Sequence, residues 1–218
     1  MTDRLDPIRL DELWDFSDPQ ASAERFRAEL ATAAPVAAAE LSTQLARALG
    51  FAGRGDEADA LLDSIDSDDA VVGIRIALER GRRLNSSGRP AEAVPLFLHA
   101  YEAAEAAGEP FLAVDALHML AIADEPNAVD WAGRGICAVA SSTDSRTQRW
   151  AIALHNNLGW FLFDGGRFAE ALVEFEAADA AAQAHGTPEQ QRFAREAIAE
   201  CRASLVERSG VSKPGPRY

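Results

Sequence analysis

The side chains able to do chemistry are few and scattered. His99, His118, His155 and His185 share no metal-ligand spacing. Cys137 and Cys201 fall at apolar positions of helical stretches, which predicts packing rather than redox or nucleophilic work. The chain has no Gly-x-Ser-x-Gly elbow, no phosphate-cradling glycine loop and no His-Glu-x-x-His pair. These features predict a protein that is not an enzyme, with no cofactor and no metal. What remains suits recognition. Arg47, Arg75 and Arg82 carry planar forks that match carboxylates. Asn85 and Asn156 can both donate to and accept from peptide groups, His118 adds an imidazole, and Trp160 offers an apolar face. That set predicts binding of an extended, acidic or carboxylate-bearing segment of a protein or peptide partner.

Charge and composition bound the classes. Lys+Arg 21 against Asp+Glu 35 leaves a net charge of −14, which predicts neither nucleic-acid nor membrane binding. Two cysteines exclude a disulfide scaffold and a four-cysteine zinc site. The acidic start Thr2-Asp3-Arg4-Leu5-Asp6 predicts no signal peptide, and no apolar run reaches the roughly 18 residues of a membrane helix. A cytoplasmic protein is therefore expected. Alanine accounts for 45 of 218 residues, and alanine is the best intrinsic helix former. No run of alternating β-branched residues competes, so the expectation is all-α.

Punctuation places the helices. Ser17-Asp18-Pro19 reads as a cap followed by proline at the first helical position, starting a helix over 19–33 that Pro35 ends. A Gly-Arg-x-x-Glu-Ala turn occurs three times, at Gly53–Ala58, Gly88–Ala93 and Gly166–Ala171. Large residues stand four and eight positions before two of these glycines (Leu49 and Leu45, Leu162 and Leu158), while the middle one has Leu84 and Arg80. Apolar residues follow each alanine at four and seven positions: Leu62 and Ile65, Phe97 and Ala100, Phe175 and Ala178. The glycines lie 35 and then 78 residues apart, so the second gap holds one further unit, with Asp124-Glu125-Pro126-Asn127 as its shortened turn. Thr187-Pro188-Glu189-Gln190 reads as a capping box opening a last helix, whose Phe193, Ala197, Cys201 and Leu205 alternate with charged residues.

This pattern resembles the tetratricopeptide repeat, a helix–turn–helix unit of about 34 residues with the signature W-x₂-L-G-x₂-Y…A-x₃-F. The match is carried by Leu158-Gly159-x-x-Leu162, Ala171, Phe175 and Ala178, with His155 where tryptophan is usual and Leu162 where tyrosine is usual. The second unit keeps Gly81, Leu84, Ala93 and Phe97. The wording around Trp14-Asp15-Phe16 and Asn156–Trp160 is similar to uncharacterised actinobacterial members of that family, which carry no function over.

The resemblance implies a right-handed α-α superhelix of about ten helices. An N-terminal segment and helix would span 1–34, four units 35–68, 69–108, 109–142 (degenerate) and 143–185, a capping helix 186–209, and a flexible tail 210–218. It also implies a concave groove lined by the first helix of each unit. That groove would present Glu40, Thr43 and Arg47; Arg75, Leu78, Arg82 and Asn85; Asp115, His118 and Ile122; and Asn156, Trp160 and Phe163. The expected function is a non-catalytic interaction module holding its segment in that groove. The alternatives are a small-molecule or signal-peptide sensor, and an assembly or homodimer scaffold. A competing reading pairs the arginines with acids on neighbouring helices and packs His118 and His155 between helices. Trp14, Trp131 and Phe168 are expected in the core or at its ends. The N-terminal Leu13-Trp14 and Phe16 are expected to cover the first repeat, with groove occupation and dimerisation as the other readings.

Overall fold

The computed structural model describes residues 4–208, and those residues form twelve α-helices with no strand among them. The chain divides at Asp124–Glu125 into two compact units. The first holds α1 (Pro7–Leu13), α2 (Pro19–Leu30), α3 (Pro35–Phe51), α4 (Gly55–Ser64), α5 (Ala70–Ser86), α6 (Pro90–Ala107) and α7 (Pro110–Ala123). The second holds α8 (Ala128–Ser141), α9 (Ser145–Gln148), α10 (Trp150–Asp164), α11 (Phe168–His185) and α12 (Pro188–Arg208). The division falls inside 109–142, expected as a single degenerate unit: α7 packs on α5 and α6, and α8 on α10. The two helices beyond the expected ten are α1 and α9, both started by aspartate caps. Asp6 accepts the Ile8 N–H at 2.9 Å, and Asp144 accepts the Thr147 N–H at 2.9 Å. The expected tail, 210–218, lies outside the described residues.

The recurring Gly-Arg-x-x-Glu-Ala turn has one physical explanation in all three copies. Gly53, Gly88 and Gly166 have φ of 75°, 77° and 72°, the left-handed region that ends a helix without a Cβ clash. The following arginine N–H then reaches back to a carbonyl in the last turn: Arg54 to Leu49 at 2.9 Å, Arg89 to Leu84 at 3.0 Å, Arg167 to Leu162 at 2.8 Å. Each arginine sits at the cap of the next helix and forks onto the glutamate three residues on. The pairs Arg54–Glu57, Arg89–Glu92 and Arg167–Glu170 are bidentate and exposed, so they bias the turn geometry more than they stabilise it. The alanine closing the motif is fully buried in every copy.

Close approach then locks the hairpins. A Cβ on Gly159 would stand 2.5 Å from the Phe175 ring, and one on Gly81 would overlap the Phe97 ring. Both rings are fully buried, each contributing about 1.5–3 kcal/mol by burial. At the chain start, Leu10 and Leu13 bury against Leu41, Leu45 and Leu49, so the N-terminal segment covers the first hairpin. At the other end, Thr187 and Gln190 form the reciprocal capping box at 2.9 and 3.2 Å.

Three packing expectations change. Helix α2 stops at Leu30, because Ala31–Ala34 form its cap and the approach to Pro35. The buried face of α12 is Ala194, Ala197 and Cys201, and Phe193 lies one position off it and is exposed. Cys137 is exposed rather than packed, because α8 buries the stripe Ala128, Ala132, Gly135 and Val139. Cys201 is buried, donates to the Phe168 carbonyl at 3.2 Å, and its thiol pKa is pushed up by that burial.

Candidate functional site

In the first unit, α3, α5 and α7 bring most of the predicted groove residues together, and the face they form is largely filled. Glu40, Thr43, Leu78, Arg75 and Asp115 are all buried. Arg82 reaches Glu79, one turn back on α5, at 2.5 Å, and closes on Asp115 of α7. Arg75 meets the Glu40 carboxylate of α3 at 3.3 Å. The expectation that Arg75 and Arg82 offer open forks to a ligand is therefore corrected. Their carboxylates come from the protein, because the rotations of α3, α5 and α7 aim an acid at each. Glu79 is the member that the reading of groove positions missed, although its i,i+3 spacing to Arg82 was a usable signal.

Arg47 is different. Among the described residues its guanidinium makes no hydrogen bond or ion pair, and its Nε is buried without an acceptor. It lies instead against aromatic rings, 5.6 Å from Trp14, 5.8 Å from Phe16 and 5.7 Å from Phe51. Trp14 and Phe16 stack at 4.7 Å, and Phe51 stands edge-on to both. Phe16 and Phe51 are 63% and 55% exposed, so the outer wall around this cation is open apolar surface. The i,i+4 spacing of Arg47 and Phe51 on α3 was a usable signal, whereas none tied Trp14 to Arg47. Trp14 is held from below by Gln44, which accepts its indole N–H at 3.2 Å.

The electrostatics follow from burial. Desolvation, with repulsion from Arg82, lowers the Arg47 pKa despite attraction from Glu79 and Asp115. Burial holds the Glu79 carboxyl above the usual carboxylate range, with Arg82 and Arg47 opposing. Burial pushes Asp115 the same way, but Arg82 and Arg47 outweigh it and hold its pKa low. His118, beside this network on α7, is pushed down to about 4 by burial, with Asp115 pulling the other way, so it is neutral at physiological pH.

Asn85 lies near the end of α5, half-buried. Asn156 and Trp160 sit one turn apart on α10, in the second unit. The Asn156 amide approaches Asn157 at 3.4 Å, and Trp160 packs edge-on against Phe163 and Phe175. His155 contacts Glu174 at 2.7 Å across the hairpin. The seven predicted residues thus split, with Arg47, Arg75, Arg82, Asn85 and His118 in one unit and Asn156 and Trp160 in the other. Ile122 is exposed.

No family model and no curated protein matches the chain. Among solved structures it is similar to BtubC (BKLC) from P. vanneervenii, with a TM-score of 0.57 and 16% sequence identity over 96% of this chain and 95% of that one. At that identity the likeness speaks for the helical fold alone. No helix among the described residues is long and apolar enough to cross a membrane.

Proposed function

We propose that the chain is a non-catalytic interaction module of the tetratricopeptide-repeat type, acting in the cytoplasm on a protein or peptide partner. Its anchor is Arg47, which takes a carboxylate of an extended segment while Trp14, Phe16 and Phe51 pack against neighbouring apolar groups. The observation that carries this reading is that Arg47 has no carboxylate partner among the described residues, whereas Arg75 is ion-paired with Glu40 and Arg82 with Glu79 and Asp115. A buried donor without an acceptor costs about 1–3 kcal/mol, and a carboxylate ligand recovers that by a bidentate bond. Asn156 and Trp160 are proposed as a further contact for a partner, through the amide and the indole face on α10.

Selection from a display library of random peptides tests the module, followed by titration of an enriched peptide against wild type and Arg47→Met. The methionine keeps the aliphatic bulk and removes the charge. Binding at least tenfold weaker in the variant, about 1.4 kcal/mol, is expected. Equal binding to both proteins, or no enriched peptide, overturns the reading.

A further inference from the structure

The start of the chain occupies a second polar site, of opposite charge to Arg47. Arg4 reaches across the first unit to two helices far along the sequence. Its Nη1 donates to Glu109, at the cap of α7, at 2.9 Å, and its Nε approaches Glu40 of α3 at 3.5 Å. Asp69, at the cap of α5, adds attraction. The next backbone N–H, that of Leu5, donates to the same Glu40 oxygen at 3.4 Å, and the Leu5 side chain packs on the core cluster. One buried carboxylate therefore reads both a guanidinium and the following amide, while the following side chain meets an apolar surface. That is recognition of an arginine followed by an apolar residue.

The occupant is bonded closely to half-exposed Glu109 and only loosely to Glu40. Glu40 is 2% exposed, yet its donors Arg4 and Leu5 stand at 3.5 and 3.4 Å, and Arg75 adds an ion pair at 3.3 Å, whereas tight charge-assisted bonds run near 2.8 Å. Arg4 and Glu109 are 34% and 28% exposed. The N-terminal segment is fixed downstream, where Leu10 and Leu13 are buried, so release of Arg4 and Leu5 withdraws the partly buried Leu5 and leaves the buried cluster in place. Asp6, the cap of α1, marks where the fixed part begins.

We infer that Glu40 and Glu109 form a binding site for an arginine–apolar segment of a partner protein, masked in cis by Arg4 and Leu5. The site is separate from Arg47, about 10 Å further along α3. The net charge of −14 favours a basic ligand. The tether gives Arg4 a high effective concentration, so a partner must outcompete it.

The test removes the occupant. Two acetylated, fluorescein-labelled peptides, one of the Arg4–Arg9 sequence and one reading Gly-Ser-Arg-Leu-Gly-Ser, are titrated by anisotropy at low salt against wild type and Arg4→Ala. Both are expected to bind Arg4→Ala at least tenfold more tightly than wild type, and to lose binding when the arginine that precedes their leucine is replaced by alanine. Glu109→Gln, on the half-exposed member, is expected to weaken binding severalfold in the Arg4→Ala background without the folding risk of altering buried Glu40. An Arg4→Ala protein that melts cooperatively yet binds neither peptide overturns the inference. So does binding that Glu109→Gln leaves unchanged, and so does binding of the Arg4–Arg9 peptide alone.

Discussion

The α3, α5 and α7 face of the first unit and the α10 face of the second carry the same kind of hairpin lock and opposite polar contents. Gly81 against Phe97 and Gly159 against Phe175 are the same contact, made by a missing Cβ and a buried ring. On the first face the helices exchange charges: Glu40 with Arg75, and Glu79 and Asp115 with Arg82. On the second, the groups are Asn156, Trp160 and the His155–Glu174 contact. The apolar side of a hairpin and its polar side are thus independent variables. The lock sets how closely two helices approach, and the charges decide whether the face between helices is closed or open.

The comparison breaks first at the lock. Phe97→Ala and Phe175→Ala are each expected to cost about 3–5 kcal/mol in urea unfolding followed by circular dichroism. A difference of more than about 2 kcal/mol between them would show that the two locks are not equivalent. Arg82→Met is expected to cost nearly as much, about 3–5 kcal/mol, because it strands Glu79 and Asp115. Arg47→Met, which strands no bonded acid, should stay within about 1 kcal/mol of wild type by the same measurement.

The charged face also predicts a pH dependence confined to the first unit. His118 has a folded pKa of about 4 against an unfolded value near 6.5, so the unfolded chain takes the proton first. Stability is lost as pH falls from about 6.5 to about 4, by up to ~3 kcal/mol, and is unaffected above that window. His118→Gln should flatten this loss in unfolding curves taken across the window; an unchanged slope would remove His118 as its source. The smallest effect belongs to the second face. Glu174→Gln keeps an acceptor for His155 and is expected to cost about 1 kcal/mol or less in thermal unfolding.

The hairpins were legible because their causes are local. Turn glycines, the alanine five residues on, and the leucine or phenylalanine one turn further lie within one helix and its turn, where sequence distance is spatial distance. The capping box at Thr187 and the cap at Asp18 are legible for the same reason. Readings that depend on helix rotation fared differently: Phe193 and Cys137 each sit a fraction of a turn from the buried stripe.

Sequence alone determined that this chain is all-α, where its turns fall, and which residue types it has for recognition. Tertiary structure decided what those residues are free to do. Arg75 and Arg82 found acids on neighbouring helices, Arg47 found rings from Trp14, Phe16 and Phe51, and Arg4 found Glu109, 105 residues away. The physical reason is that helix formation is governed by contacts within a few residues, whereas the neutralisation of a buried charge depends on which helix faces which, and at what rotation.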